Sequence, residues 1–416
     1  MDNLAHSNET TSRPATRSRI SPAEALQLVL DTATQLPAEP MPMLETLGLV
    51  LAEAVAVDRD QPPFDRAMMD GYAVPEGAAG SELSVIDQVA AGGVSPVRLG
   101  EGHCVEIMTG APAPAGTAAV VPKEHTRPGE KGVLLPKQIT PGQHVVPRGS
   151  ECREGEVILR PGDRVDALAI AAMASFGKTS VRVIRRPTLA IVTTGAELIP
   201  ADGVPGESQI RDANGPMLWA MAQGLGLAPV GLAHAGDQID TILENLERFS
   251  DCDVLIVAGG VSVGRFDFVP EAVTQVGAEL IFHKVRQKPG KPLLFARRGD
   301  QLIFGLPGNP LACHICFHRY VGPAIRKMQG QDPNRAELTG RLTEPVEPRR
   351  GRTHFVLGMV DEVVGAGPLP SVRPLPGKSS ADVFRAVGPN CYLEIPPRPD
   401  TIPAGASISF TRLDKI

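Results

Sequence analysis

Apolar and polar positions change rhythm several times along the chain. SPAEALQLVLDTATQL (21–36) places Ser21 ahead of Pro22 and Glu24, then apolar residues at helical spacing. Ser at the N-cap, Pro at the first helical position and Glu at the third mark a helix start. MLETLGLVLAEAVAV (43–57) has a similar spacing and predicts a second amphipathic helix. Between Asp58 and Pro147, short β-rich runs such as HCVEIMTG and AAVVPKEH alternate with Pro and Gly turns, the pattern of a small β domain. VDALAIAAMASFG (165–177) predicts a helix stopped by Gly177.

From Arg186 onward, apolar runs alternate with helical spacing. PTLAIVTTG, APVGLAHAG, CDVLIVAGG, IFHKVRQKPGKP and QLIFGLPG read as strands. NGPMLWAMAQGLG, IDTILENLERFS, VPEAVTQVGAEL and NPLACHICFHRYVGPAIRKM read as helices. Such alternation predicts a three-layer α/β domain on a mainly parallel sheet. After Gln331 short strands and Pro-rich turns return, predicting a second small β domain.

Composition narrows the partners. The chain has 416 residues, 42% hydrophobic and 21% charged, as in a globular protein of about three domains. A net charge of -6 gives no general attraction to nucleic acid or to an anionic membrane, so any bound anion must be caught by a local cluster. The uncharged stretch between Asp212 and Asp237 is punctuated by Gly and Pro and is no membrane span. The polar N-terminus, through residue 20, reads as a disordered tail without the apolar core of a secretory signal. Of six cysteines only Cys313 and Cys316 pair in a C-x-x-C. No second pair completes a zinc site, and both thiols fall on one helix face, where Cys packs as a small apolar residue. That usage predicts a reducing compartment, the cytoplasm.

Candidate chemistry gathers at three strand ends. Thr193–Gly195 is followed by Glu197, and Ala258–Gly264 by Asp267, while Leu306–Pro310 leads into a helix with Asn309 as expected N-cap. Ligands of open α/β sheets bind beyond the carboxyl ends of strands. Glycines there let backbone N–H groups form an anion-binding nest. Thr193, Gly195, Gly259, Gly260, Ser262 and Gly264 are therefore candidate binding residues. Lys284, Arg286 and Lys288 are spaced to share a strand face, and Lys291 follows a Pro-Gly turn. Glu197, Asp237 and Asp267 sit at loop ends, where carboxylates suit a divalent cation such as Mg²⁺ completed by substrate oxygens. Glu197 and Asp267 are the expected metal residues.

PFDRAMMDGYAV (63–74), IMTGAPAPAGTAAVV (107–121), GGVSVGRFDF (259–268), KPGKP (288–292) and LPGNP (306–310) occur in this order. Together they resemble the MoeA family, which includes the gephyrin E domain. The resemblance spans nearly the whole chain after Ser21. It implies a helical linker domain (21–63 and 149–185), an inserted β domain (64–148), a MogA-like α/β molybdopterin-binding domain (186–335) and a C-terminal β-barrel-like domain (336–416). It also implies a homodimer and transfer of molybdenum from molybdate to adenylylated molybdopterin, with release of AMP. A molybdopterin adenylyltransferase is the partner such a substrate suggests.

By the same resemblance, Asp70 and Thr109 reach the cleft from the inserted domain, and Glu151 keeps a carboxylate where the family has Asp. Glu197, Asp237 and Asp267 match its acidic positions. Lys284, Lys288 and Lys291 match its basic ones, and Pro307 and Pro310 its LPGNP prolines. Ser380, with Ser379 as the alternative register, matches a serine of the last domain. Departures from the pattern are Ala196, Ala312, Leu357, Ala67 and Met68. Ala312 removes a hydroxyl and Leu357 an arginine from the expected molybdate pocket, with Arg350 and Arg352 nearby in sequence. These losses motivate an alternative, a non-catalytic molybdopterin-binding or scaffold paralogue. The retained Asp267, Lys288 and Lys291 favour the enzyme.

Overall fold

Uninterrupted apolar runs become strands covered on both faces, because a polar side chain there would lose its water. Every residue of Leu189–Thr194, Val254–Ala258 and Gln301–Leu306 is buried. The computed structural model describes residues 17–262, 267–334, 337–361, 369–375, 377 and 379–413. The chain divides into two compact units, one of Met1–Glu39, Gly48–Val50 and Ile184–Ile416, the other of Pro40–Leu47 and Leu51–Val183.

In the first unit a seven-stranded sheet runs in the order Arg17–Ile20, Glu279–Val285, Leu294–Arg298, Gln301–Leu306, Val254–Ala258, Leu189–Thr194, Gly231–Ala235. Leu294–Arg298 is antiparallel to both neighbours, and the other pairings are parallel. Ile242 and Leu246 of helix Ile239–Arg248 pack with Val269, Ala272 and Val273 of helix Val269–Gln275 against Ala190, Val192, Leu255 and Val257. Helices Pro22–Thr32, Asn214–Gly224 and Pro310–Cys316 contact the strands Glu279–Val285, Leu189–Thr194 and Gln301–Leu306. This is the expected three-layer α/β domain.

The sheet begins with a lock between strand starts. Asp253 accepts two hydrogen bonds from Arg185, each 2.7 Å, and two from the Thr188 backbone and hydroxyl, each 2.8 Å. Burial opposes the carboxylate, but these donors outweigh it and hold Asp253 below the usual carboxyl range.

Four local expectations need correction. Arg17–Ile20, assigned to the tail, is a strand whose Ser18 and Ile20 pair with His283 and Val285. Nothing in RSRI announces it; the open edge of Glu279–Val285 makes it a strand. Residues 1–16 of the expected tail lie outside the described residues. The helix expected over 43–57 is a single 3₁₀ turn, Met43–Glu45. Gly48 at φ 81° ends any helix there, and Val55–Ala56 pairs with Val157–Leu159 instead. LFARR (Leu294–Arg298), not read as a strand, forms a hairpin with Gln301–Leu306. Finally, the long C-terminal helix is Pro310–Cys316, a π-turn at Phe317–Val321, and Gly322–Met328. Pro323 lacks the N–H an unbroken α-helix would need, and the widened turn absorbs the loss.

The last domain is a closed five-stranded barrel. Thr353–Val360, Ser371–Pro374, Leu338–Leu342, Ser407–Arg412 and Cys391–Ile395 pair in that order, and the last pairs back with the first. A two-residue strand, Gln287–Lys288, leaves the α/β domain and pairs with Thr353 and His354 at the barrel's entry. That pairing brings the barrel beside the α/β loops.

In the second unit, a six-stranded sheet is ordered Ala119–Pro122, Gly71–Val74, His103–Ile107, Glu82–Val89, Val133–Leu134, Arg127–Pro128. The helix expected over 165–177 forms at Ala167–Ser175, with Asp166 as its N-cap accepting from the Ala169 N–H at 2.8 Å.

Candidate active site

Three adjacent parallel strands end at one edge of the sheet, so their loops share one wall. Beyond them lies a cleft of about 1160 Å³ in the first unit. Its lining includes Thr194, Gly195 and Glu197 from the first loop, and Gly259, Gly260, Ser262 and Asp267 from the second. Pro307, Gly308, Asn309 and Pro310 come from the third loop, and Asp237 from the end of a fourth strand. Lys288 and Lys291 enter on the KPGK turn, Arg352 from the start of a barrel strand and Ser380 from the barrel's long connection.

Close approach explains the bare loop after Val254–Ala258. Gly259 has φ 105°, and a Cβ there would lie 2.5 Å from the Thr194 carbonyl oxygen and 2.6 Å from its hydroxyl. Only hydrogen fits between the two strand ends. His283 steadies the same loop through Nε2, 2.8 Å from the Val261 carbonyl. Burial holds this imidazole below its ordinary value; Lys284 adds to that, while the Val261 contact and Asp267 oppose it. In the neutral ring, Nε2 is then the nitrogen that donates.

Ser380 is set by the third loop. Its hydroxyl accepts from Asn309 Nδ2 at 2.9 Å, and its carbonyl from the Leu311 N–H at 3.1 Å. Ser380 lines the cleft, while the Ser379 hydroxyl accepts from the Ala381 N–H. Asn309 stands at the N-cap position, but its side chain does not cap the helix and reaches Ser380 instead.

The cations form a group. His354 is held below its ordinary value by burial first, then by Arg349, Lys288 and Arg352. Lys288 and Arg352 both line the cleft. Leu357, where the family resemblance leads one to expect arginine, is buried in the barrel strand, and Ala312 does line the cleft. Two arginines, Arg211 and Arg352, are in the cleft lining.

Not every expected residue gathers here. Thr193 is buried, with its hydroxyl 3.4 Å from His234 Nδ1 on the next strand. Strand alternation turns its neighbour Thr194 to the cleft instead. Lys284 adopts φ 75° and is absent from the lining. Of Lys284, Arg286 and Lys288, Lys288 is the one in the cleft lining. Gly264 lies outside the described residues.

Asp70, Thr109 and Glu151 belong to the second unit. Asp70 precedes one strand and Thr109 follows its antiparallel neighbour, so the two meet at one sheet end. Asp70 Oδ1 accepts from the Thr109 N–H and hydroxyl, both at 2.7 Å, and these bonds hold its carboxyl below the usual range. Glu151 pairs with Arg66 at 2.7 Å.

Residues missed from the sequence include Asp212 and Asn214 in the cleft lining. Asp212 accepts from the Gly215 N–H at 3.0 Å, and Asn214 Nδ2 donates to the Gly308 carbonyl at 2.6 Å. Polar residues ahead of a helical run, as in DAN, were the available signal.

A divalent cation can be weighed against these donors. Glu197, Asp237 and Asp267 supply the hard oxygen atoms Mg²⁺ prefers. Among the described residues no three His, Cys, Asp or Glu side chains converge as a ready-made metal cage. The set fits a cation held by one or two carboxylates, with the remaining positions left to water and substrate oxygens.

A mainly parallel α/β sheet with glycine loops, cleft-lining cations and a five-stranded barrel in the same unit defines a multidomain α/β protein with a built cleft. Comparison with known proteins gives the particular family. Residues 20–177 match the MoeA N-terminal region (domain I and II), 190–327 a probable molybdopterin binding domain, and 339–413 the MoeA C-terminal region (domain IV). Molybdopterin molybdenumtransferase from Staphylococcus aureus (strain N315) is 36% identical over 322 residues, 76% of this chain and 77% of that protein. Its counterpart from Staphylococcus epidermidis (strain ATCC 12228) is 34% identical over the same length. The crystal structure of a molybdopterin biosynthesis MoeA protein from Pyrococcus horikoshii OT3 superposes with a TM-score of 0.77 at 27% identity, covering 95% of this chain and 100% of that one. The chain belongs to the molybdopterin molybdenumtransferase (MoeA) family and is a transferase of molybdenum cofactor biosynthesis. No helix among the described residues is long and apolar enough to cross a membrane.

Proposed function

We propose that the cleft transfers molybdenum from molybdate to adenylylated molybdopterin and releases AMP. The observation that carries this reading is the grouping of Lys288, Lys291, Arg211 and Arg352 with three glycine-bearing loops and the carboxylates of Glu197, Asp212, Asp237 and Asp267 in one cleft. The cations and backbone N–H groups attract an oxyanion, each charge pair being worth several times more in a partly dry cleft than in water. Lys288 and Lys291 hold molybdate or a substrate phosphate, and Arg352 supplies the guanidinium that Leu357 does not. Ser380, oriented by Asn309, offers a hydroxyl to the same anion.

Glu197 and Asp267 would hold Mg²⁺, with Asp237 nearby. Bound there, the cation would stabilise negative charge on the departing adenylate. Alone, these carboxylates would repel an anionic substrate, which makes the cation part of the proposal. A homodimer, cytoplasmic location and supply of substrate by a molybdopterin adenylyltransferase complete it. Light scattering at micromolar concentration should give twice the chain mass; the monomer mass would remove the dimer from the proposal.

The test is turnover. Purified protein is incubated with adenylylated molybdopterin, molybdate and Mg²⁺, and AMP and molybdenum cofactor are measured together. Stoichiometric appearance of both is expected. Binding of the substrate without AMP release would favour the scaffold reading, for which the losses at Leu357 and Ala312 speak.

A further inference from the structure

The turn that carries the two cleft lysines sits on a buried polar group. Gln287 immediately precedes Lys288 and has no exposed surface. Its Nε2 lies 3.3 Å from the Gly290 carbonyl and 3.4 Å from Cys316 Sγ. Its Oε1 accepts from the Tyr320 hydroxyl, which is equally buried. Both ends of the amide are therefore committed: the acceptor to Tyr320, the donor to the turn. Packing is close as well. Gly290 has φ 93°, and a Cβ added there would come within 2.6 Å of Cys316 Sγ and overlap the Gln287 amide.

We infer that Gln287 and Tyr320 are positioning residues that hold the Lys288–Lys291 turn in its cleft-facing geometry. Tyr320 cannot touch a ligand in the cleft, yet it dictates which way the Gln287 amide points. An amide turned the other way would present an oxygen to the Gly290 carbonyl and push the turn away. In energetic terms the pair is near neutral, because two apolar side chains of the same shape would pack about as well. What the hydrogen bonds add is direction, fixing the carbonyl between two residues whose ammonium groups must converge on one anion. The inference rests on the reading that these lysines bind the oxyanion substrate.

The test uses the full chain and molybdate itself as the titrant in calorimetry. Tyr320→Phe and Gln287→Met should each raise the molybdate Kd about 5- to 10-fold; the first leaves the Gln287 amide oxygen without its donor, the second leaves the Tyr320 hydroxyl and the Gly290 carbonyl without theirs. The double variant Tyr320→Phe/Gln287→Met removes both polar groups. Its melting temperature should recover toward wild type, while its Kd stays raised. In a Lys288→Ala/Lys291→Ala background, Tyr320→Phe should have no further effect on molybdate. Wild-type affinity in the double variant would overturn the inference, as would an equal loss from Tyr320→Phe with and without the lysines. If the lysine variants bind molybdate like wild type, the reading beneath falls and the inference with it. If they bind weakly while Tyr320→Phe binds normally, only the inference falls.

Discussion

Gly259→Ala isolates what the glycine loop is for. The perturbation is one methyl group at φ 105°, directed at the Thr194 carbonyl oxygen 2.5 Å away. Holding a residue with a Cβ in that backbone region costs about 1–3 kcal/mol. Thr194 ends a strand paired on both sides, so its oxygen cannot retreat, and overpacking adds about 1–3 kcal/mol. A loss of about 4 kcal/mol corresponds to roughly 8–16 °C in the melting temperature of a domain of this size. Gly308 is the control in the same cleft. Its added Cβ would meet only Gly259 Cα at 3.6 Å, an ordinary contact. Gly308→Ala should therefore melt within about 2 °C of wild type, small losses being normal for an unstrained site. Gly260→Ala should fall between them, with φ 62° and contacts at 3.0 Å to Thr194 Oγ1 and Val269 Cγ2. The assay is differential scanning calorimetry, following the transition of the α/β domain. A Gly259→Ala protein that melts like wild type, or a Gly308→Ala protein that falls as far, would refute the close-approach argument and leave the loop as a plain turn.

Lys288→Ala and Lys291→Ala should each weaken molybdate binding about 5- to 10-fold, roughly 1–1.4 kcal/mol, without changing the melting temperature. Calorimetric titration at two salt concentrations checks this, and unchanged affinity in both would remove them from the anion site. Asp253→Asn should destabilise the α/β domain by about 2–4 kcal/mol, since it leaves Arg185 half-buried without its carboxylate. Because the folded Asp253 carboxyl lies below its ordinary value, its contribution is complete above that value and lost as pH falls through the folded one. The gap in melting temperature should thus stay constant at neutral pH and close only below about pH 4; a gap already closing near pH 6 would contradict it. With five of the six cysteines buried and Cys313 and Cys316 pushed well above the usual thiol range by burial, a thiol reagent should label Cys152 alone in the native protein. Rapid labelling of Cys316 would show that the floor beneath the KPGK turn opens.

Much of this protein is written in local pattern. Local pattern determined the buried strands at Leu189–Thr194, Val254–Ala258 and Gln301–Leu306, the helix capped at Ser21, and the mainly parallel α/β class. A two-residue or 3.6-residue repeat needs no distant partner to be read. The three glycine loops were legible for the same reason, as each follows a strand end that the pattern announces. What periodicity could not supply is pairing. Arg17–Ile20 is a strand only because Glu279–Val285 has a free edge, and Leu49 through Val57 left the helix because distant strands offered better partners. Lys284 and Lys288 look equivalent in spacing, yet Lys288 is in the cleft lining and Lys284 is not. Arg352 joined the lysines because Gln287–Lys288 pairs with Thr353 and His354 of the barrel, a contact across more than sixty positions of chain. Sequence spacing determines which face a side chain takes within one element. Which elements meet, and so which charges share a cleft, is decided by hydrogen-bond pairing and burial between segments far apart in the chain, and only the folded structure resolves that.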